Sequence, residues 1–224
     1  PSAETFVFEV PDSREGWVQA LRHLIRAYFE GEAIPIYDFS KIRPKGSPIR
    51  GFGGVASGPK PLQEMLNSQK EILERRIGDT LTSVDIVDMM NLIGKCVVAG
   101  NVRRSAEIAV GSFDDDDFLT CKQDKEALYH HRWASNNSVF GYRGMDYNKI
   151  VDQIAVNGEP GIIYMDNARD YGRMGHPPNH KDAKAMGVNP CGEQTLESFE
   201  LCCLVETFPS RHDTYEEFAD TLKY

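Results

Sequence analysis

The sequence predicts an α/β fold in which most strands pair in parallel. Three observations support this: strand-like and helix-like segments alternate along the chain, each longer helix-like segment carries one apolar stripe, and the connections are rich in Gly, Pro, Asn and Asp. Apolar residues make up 41% of the 224 positions, which is enough to build a core. The pattern leaves open whether the sheet stays open or closes into a barrel.

The beginning of the chain predicts a strand, a helix and a second strand. Thr5–Val10 has the β-branched and aromatic content of a strand. A capping box over Asp12–Glu15 begins a helix that runs to Gly31. Its apolar residues recur three or four positions apart, as on a helix that packs against a sheet: Trp17, Leu21, Leu24, Ile25 and Tyr28. Ala33–Tyr37 predicts the second strand, and we expect Trp17 in the core rather than as a stacking platform.

A long loop and two helices come next. Residues 43–61 are dense in Gly and Pro, and such loops often carry function. One helix covers 62–76, and a capping box over Thr82–Asp85 begins another. Ser105–Val110 predicts a strand. The acidic run Asp114–Asp117 lacks the spaced ligands and the glycine of a calcium-binding loop, so we expect a solvated turn or a helix start there.

The rest of the chain continues the alternation. The predicted elements are a strand at Trp133–Tyr142, a short helix at Tyr147–Val156, a buried strand at Gly161–Met165, a loop at Asp166–Val188, a strand at Leu201–Phe208 and a final helix from Thr214. His130 and His131 are adjacent in the chain. Neighbouring side chains on a strand diverge, so we do not expect the two imidazoles to bind a metal together.

Charge and cysteine content narrow the function classes. The net charge is −9 and no Lys/Arg-rich block is present, which argues against binding DNA or RNA polymers and favours a small nucleotide if any. No apolar run reaches the roughly 20 residues of a membrane span, so we expect a cytoplasmic protein without a membrane partner. The five cysteines show neither CxxC nor zinc spacing. They should be thiols, with Cys96 and Cys121 buried as small hydrophobes.

Asn189-Pro-Cys-Gly-Glu193 is the most informative segment for function. Cys191 stands between Pro190 and Gly192, where a tight turn can project its thiol from a loop tip. Glu193 can act as a base and Asn189 can hold a hydroxyl. Cys202 follows eleven positions after Cys191. On pattern alone, the segment also fits a turn with a buried thiol.

This segment, with Leu196-Glu-Ser-Phe-Glu-Leu-Cys-Cys203 after it, resembles the active-site finger loop of ribonucleotide reductases in the form found in adenosylcobalamin-dependent, class II enzymes. Three further stretches are similar to the monomeric ribonucleoside-triphosphate reductase branch of that family. They are Ile42-Arg-Pro-Lys-Gly-Ser-Pro-Ile-Arg-Gly-Phe-Gly-Gly54, Gly100-Asn-Val-Arg-Arg-Ser-Ala-Glu-Ile108 and Trp133-Ala-Ser-Asn-Asn-Ser138. Together the matches span most of the chain.

The resemblance implies a fold and a set of roles. The fold is a ten-stranded α/β barrel with a central finger loop, of which residues 1–224 would be a part truncated at both ends. Cys191 would carry the thiyl radical that removes the ribose 3′-hydrogen, Glu193 would take the 3′-hydroxyl proton, and Asn189 would hydrogen-bond the ribose. Cys202 would be one of two thiols that end as a disulfide, while Cys203 would face away on a strand.

The resemblance also implies partners. They are a ribonucleotide substrate, adenosylcobalamin as the radical source, a deoxynucleoside triphosphate as allosteric effector, and a thioredoxin-type reductant; no metal ligand or cofactor-binding residue is assigned. The family's partner of Cys202 lies upstream, and neither Cys96 nor Cys121 stands in a matching context. The C-terminal shuttle cysteines are absent as well. We therefore expect a fragment that does not turn over alone.

Several other residues keep two interpretations. Arg103 and Arg104 could bind nucleotide phosphates or pair with acidic neighbours. Asn136 and Asn137 fall where the family has loops between effector and substrate base, yet asparagines also favour plain turns.

Two alternative functions remain open at the level of residues. One is a nucleotide-binding regulatory module with structural thiols, and the other is a thiol oxidoreductase with Cys191 and Cys202 as its redox pair. Neither explains Glu193 and Asn189 beside the thiol.

Overall fold

The computed structural model describes residues 1–51, 53–102, 104–172, 176–203 and 205–223. The chain divides into two compact units, Pro1–Asn167 and Ala168–Tyr224. Strands and helices alternate, and the strands of the first unit pair in parallel, which confirms the predicted α/β class. In the part of the chain that the structure covers, no helix combines the length and the apolar character needed to cross a membrane.

The first unit begins with a strand–helix–strand motif. Strand β1 (Thr5–Glu9) pairs in parallel with β2 (Ile34–Asp38), and helix α1 (Arg14–Phe29) connects them. A parallel pair requires such a crossover, and the apolar stripe of α1 provides the face that covers the strands. Val10, Ala20 and Leu24 are buried there.

The capping prediction for this helix is corrected at one position. Ser13 is the N-cap, and its hydroxyl accepts a hydrogen bond from the Gly16 amide at 3.0 Å. Asp12 was predicted to begin the capping box, but its carboxylate accepts from Arg43 Nε at 2.6 Å instead. Trp17 packs against the core as expected.

Two long helices complete the first core. Helix α2 (Lys60–Arg75) follows the Gly- and Pro-rich loop, and α3 (Ser83–Val98) begins with the predicted capping box between Thr82 and Asp85. Helix α3 contributes to two cores, because Leu92 and Cys96 face the first sheet while Val87 belongs to a second cluster. The buried, apolar environment of Cys96 raises its pKa to about 11, so this thiol stays protonated.

The second sheet has the order β3–β4–β5, all parallel. Strand β3 is Glu107–Gly111, β4 is Ser135–Phe140 and β5 is Gly161–Ile163. The connecting helices are α4 (Asp116–Thr120), α5 (Lys125–His130) and α6 (Asn148–Asn157). The acidic run is a helix start, as predicted, because the Asp115 side chain accepts from the Phe118 amide at 3.0 Å.

The predictions near this sheet have mixed outcomes. Asn136 and Asn137 lie inside β4, within the predicted strand Trp133–Tyr142, so the interpretation of these asparagines as a plain turn is wrong. Strand β5 ends at Ile163 and is only partly buried, and helix α7 (Met165–Asp170) occupies the start of the predicted loop. His130 ends α5 and His131 follows it outside any strand, so the two side chains do not diverge as predicted, and their Nδ1 atoms are 3.0 Å apart.

The second unit is built around a short hairpin. Strands β6 (Gly187–Val188) and β7 (Thr195–Leu196) pair antiparallel, and helix α8 (Tyr215–Thr221) is capped by the hydroxyl of Thr214. The strand predicted at Leu201–Phe208 is wrong: residues 201–203 and 205–208 have no strand assignment, and Leu201 and Val205 are about four-fifths exposed. An apolar sequence forms a strand only where another strand pairs with it.

Candidate functional site

A four-residue turn at the tip of the β6–β7 hairpin presents Cys191. The Gly192 amide donates to the Asn189 carbonyl at 2.9 Å and closes the turn, with Pro190 and Cys191 between them. Asn first, Pro second and Gly fourth is the residue order that such turns favour. Gly192 has φ of +84°, a conformation that glycine adopts without strain. The turn leaves Cys191 exposed to solvent.

The side chain of Asn189 organises the residues around this turn. It is 3% exposed, and its Nδ2 donates to Glu193 Oε1 at 2.6 Å and contacts Cys202 Sγ at 3.5 Å. Its Oδ1 accepts from the Gln194 amide at 3.0 Å. Both amide hydrogens therefore have partners, and one lone pair of Oδ1 remains for a further donor.

The structure thus brings three of the four predicted residues into direct contact and places the fourth in the same turn. Asn189 touches Glu193 and Cys202, and Cys191 stands between Asn189 and Glu193 in the chain. The Asn189 amide fixes one carboxylate oxygen of Glu193, so the other oxygen can accept a proton. An exposed thiol, an oriented base and a second thiol can together take a hydrogen atom, move a proton and deliver electrons.

Sequence reasoning missed the residues that hold this arrangement. The backbone of Gln194 makes two hydrogen bonds to Asn189, one to its side chain and one from its amide. Thr195 Oγ1 donates to Asp182 Oδ2 at 2.9 Å, which joins the hairpin to the preceding turn. The first contact involves only backbone atoms of Gln194, and the second joins residues 13 apart, so neither gives a sequence signal.

The remaining cysteines lie outside this cluster. Cys96 and Cys121 are buried in the first unit, as predicted. Cys121 accepts a hydrogen bond from Asn137 Nδ2 at 3.3 Å, and burial raises its pKa. Cys203 is exposed. The prediction that Cys203 faces away on a strand is wrong in its reasoning, because no strand forms at that position.

A cavity of about 390 Å³ lies in the first unit, at the start of α1. Its walls come from α1, the Gly- and Pro-rich loop and the end of α3, and they are mainly apolar. Trp17 lines the cavity, and Arg14 and Arg43 add cations to its wall. This volume lies at the lower end of the roughly 300–1,000 Å³ typical of small-molecule sites. Apolar walls with one indole ring and two guanidinium groups suit a planar ligand that carries an anionic group.

The sequence also raised the question of phosphate binding by Arg103 and Arg104 and of metal binding by His130 and His131. Arg104 is exposed and donates to the Asn101 carbonyl at 3.2 Å, while Arg103 lies outside the described residues. His131 Nε2 hydrogen-bonds Asp88 Oδ1 at 2.7 Å. Over the residues that the structure covers, no three His, Cys, Asp or Glu side chains are placed to hold a metal ion.

Comparison with known proteins identifies relatives of this chain. The family model for the insertion domain of B12-dependent ribonucleotide reductases matches residues 2–73. A probable adenosylcobalamin-dependent ribonucleoside-triphosphate reductase of Dictyostelium discoideum is 51% identical over 97% of the chain, and the corresponding reductase of Euglena gracilis is 46% identical over 97%. The reductase of Levilactobacillus brevis is 51% identical over 93%. The chain spans 29%, 30% and 29% of these relatives, respectively.

Structural comparison points to the same family of proteins. A crystal structure of a B12-dependent, class II ribonucleotide reductase superposes with a TM-score of 0.78 at 46% sequence identity. The match covers 87% of this chain and 28% of that protein. A likeness of sequence and fold over nearly the whole chain is what common descent produces, and the chain belongs to the family of B12-dependent, class II ribonucleotide reductases.

Proposed function

We propose that the full-length protein reduces ribonucleoside triphosphates to 2′-deoxyribonucleotides and so supplies precursors for DNA. The observation that carries the proposal is the contact of Asn189 with both Glu193 and Cys202, beside the turn that presents Cys191. The family and the names of its members support the substrate class. The activity is assigned to the whole protein, because the chain spans only about 30% of those relatives.

Each residue of the cluster has a role in the proposed reaction. A sulfur radical on Cys191 takes the hydrogen atom from ribose C3′, and Glu193 accepts the proton of the 3′-hydroxyl and returns it to the 3′-oxygen later in the cycle. Cys202 and a second thiol supply two electrons and two protons, the 2′-hydroxyl leaves as water, and the two thiols end as a disulfide. Cys191 then returns its hydrogen atom to C3′. Asn189 holds Glu193 and offers its remaining lone pair to a ribose hydroxyl.

Adenosylcobalamin is the proposed radical source, because side chains alone do not generate a thiyl radical and the relatives are named for this cofactor. The cavity of about 390 Å³ does not fit it, since a corrin ring with its nucleotide tail is much larger. We therefore assign no residue of this chain to corrinoid binding. The chain's contribution is the exposed thiol on which the radical would be generated.

The proposed architecture is the ten-stranded α/β barrel of the family, with residues 1–224 as part of it and the β6–β7 hairpin as its finger loop. The two parallel sheets and the turn that exposes Cys191 support this arrangement. We further propose that the cavity at α1 takes the base of a deoxynucleoside triphosphate effector. Trp17 offers an apolar wall for a base, and Arg14 and Arg43 offer charge for its phosphates.

The remaining partners follow from the chemistry. A disulfide formed at Cys202 must be reduced again, which calls for a thioredoxin-type donor. Five free cysteines fit the reducing cytoplasm. The charge of −9 argues against a nucleic-acid polymer as partner, and we propose no membrane partner.

The test uses the full-length protein with a ribonucleoside triphosphate, adenosylcobalamin and a dithiol reductant. We expect Cys191→Ser to abolish deoxynucleotide formation while corrinoid binding persists. Cys203→Ser is the matched control, because this exposed neighbour of Cys202 has no role in the proposed reaction, and it should stay active. A cob(II)alamin signal with the wild type would support the proposed radical source.

Three outcomes would contradict the proposal. Substantial turnover by Cys191→Ser would exclude Cys191 as the radical site. Disulfide reduction without nucleotide or cobalamin would favour a thiol oxidoreductase. Effector binding by a wild type that never reduces nucleotides would favour a regulatory module.

A further inference from the structure

A side-chain hydrogen bond ties the finger hairpin to the turn that precedes it. Thr195, the first residue of β7, donates from Oγ1 to Asp182 Oδ2 at 2.9 Å. Neither residue touches Cys191, Glu193 or Cys202 through a described side-chain contact. The bond nevertheless starts a short path of contacts that ends at Glu193 and Cys202.

Asp182 is itself held in place from two sides. A Cβ atom added at Gly172 would lie 2.8 Å from Asp182 Oδ2 and 2.9 Å from the Asp182 backbone nitrogen, so the carboxylate packs directly against the chain at that glycine. The Asp182 carbonyl accepts from the Ala185 amide at 2.9 Å. Arg169 Nε donates to the Ala185 carbonyl at 2.9 Å. The acceptor for Thr195 is therefore part of a packed, hydrogen-bonded turn.

Thr195 is linked to Asn189 through one neighbouring residue, Gln194. It pairs with Val188 in the hairpin, and the adjacent Gln194 makes both backbone hydrogen bonds to Asn189, at 2.9 and 3.0 Å. A displacement of Thr195 would move Gln194 and so alter both of these hydrogen bonds. Asn189 in turn sets the positions of Glu193 Oε1 and Cys202 Sγ.

We propose that Thr195 is a positioning residue for the thiol and carboxylate of this site, and that Asp182 is its anchor. The proposal rests on the proposed function, because it concerns the geometry of that reaction. Thr195 contributes no atom to the chemistry. It fixes the hairpin so that the base and the two thiols keep the spacing that the substrate ribose requires.

Thr195→Val removes only the donor, because valine has nearly the same shape and also favours strands. We expect kcat of the full-length protein to fall by roughly 10- to 100-fold, the scale of a displacement near 1 Å in an active site, with KM for the nucleotide within about twofold. Thr195→Ser keeps the hydroxyl and should retain most of kcat. Asp182→Ala should reproduce the valine effect, whereas Asp182→Asn keeps an acceptor and should be milder.

Hydrogen exchange gives a readout that does not depend on turnover. Peptides that cover 186–197 should exchange at least about fivefold faster in Thr195→Val, which corresponds to about 1 kcal/mol for one lost hydrogen bond. Peptides from α2 should not change. Unchanged exchange at 186–197, or equal loss of kcat in the valine and serine variants, would overturn the positioning role.

The two proposals fail in different ways. An active wild type with a fully active Thr195→Val variant would overturn the positioning role alone. A wild type that makes no deoxynucleotide would overturn the proposed function, and the positioning role with it.

Discussion

The buried ion pair between Asp88 and Arg132 allows a quantitative prediction about the first unit. Arg132 donates from Nε and Nη2 to the two oxygens of Asp88 at 2.6 and 2.7 Å, and both side chains are 10% exposed. Arg132 Nη1 also donates to the Cys121 carbonyl. Because Asp88 lies on α3 and Arg132 begins the short 3-10 turn that leads into β4, the pair joins α3 to the entrance of the middle strand of the second sheet.

Two estimates give the size of the effect of Asp88→Asn. Removing one partner of a buried pair costs about 3–5 kcal/mol, because the other charge stays buried without compensation. Burial alone would raise the pKa of Asp88, but hydrogen bonds from Arg132 and His131 lower it from 3.8 to about 2. That difference corresponds to roughly 2–3 kcal/mol of stabilisation for the ionised form. The two values agree in scale.

Native-state hydrogen exchange measures this loss locally, peptide by peptide. Peptides from α3 and β4 should exchange at least about 100-fold faster in Asp88→Asn, since each 1.36 kcal/mol corresponds to a factor of ten. Asp152→Asn, an exposed carboxylate on α6, serves as the control and should change the free energy of opening by less than about 0.5 kcal/mol. The double variant Asp88→Leu with Arg132→Met removes both charges and should recover most of the protection.

Two results would refute this reasoning. One is an Asp88→Asn variant that exchanges at the wild-type rate in α3 and β4. The other is a double variant that loses as much protection as the sum of the two single changes, which would mean that the side chains stabilise the fold independently.

Three further predictions follow from the same contacts. Because the pKa of Asp88 is lowered in the fold, its stabilisation is complete above about pH 4 and is lost as pH falls toward 2; circular dichroism should show a larger loss of stability over this range in the wild type than in Asp88→Asn, which keeps other carboxylates of lowered pKa such as Asp85 and Asp115. Gly192→Ala should open the hairpin roughly 5- to 30-fold more often by hydrogen exchange, because φ of +84° costs an alanine about 1–2 kcal/mol, although its Cβ would meet no neighbour. Trp17→Leu should raise the Kd of a deoxynucleoside triphosphate at least about fivefold by calorimetry, for the loss of the indole wall of the cavity, while Phe29→Leu on the exposed part of the same helix should not; equal affinity in both variants would exclude the cavity as the effector site.

Short-range patterns in the sequence predicted most of the first unit. The apolar spacing of α1, α2 and α3 and the capping box at Thr82 depend on residues within one or two turns, so a short stretch of sequence is enough to predict them. The cap of α1 was misplaced by one residue because Asp12 and Ser13 are both good caps. Only the long-range pair of Asp12 with Arg43 decides between them.

Features that depend on distant partners could not be predicted. Asp88 and Arg132 are 44 positions apart, and nothing in either neighbourhood indicates the other. The segment 201–208 has the composition of a strand, but pairing decides whether a strand forms. In the candidate site, the contact of Asn189 with Glu193 spans four residues and was within reach of motif reasoning, whereas the bond of Thr195 to Asp182 was not.

The burial pattern of the site has a mechanical consequence. Cys191, Glu193 and Cys202 are exposed, while Asn189 is 3% exposed. In the proposed reaction Cys191 exchanges a hydrogen atom with the substrate and must be accessible, so packing around its own side chain does not hold it. The chain instead fixes the turn through Gly192 and fixes the carboxylate through the buried amide. The groups proposed to react can therefore face the substrate while most of the Asn189 side chain, which sets their spacing, is buried, and the precision of the proposed site depends on the backbone and on Asn189.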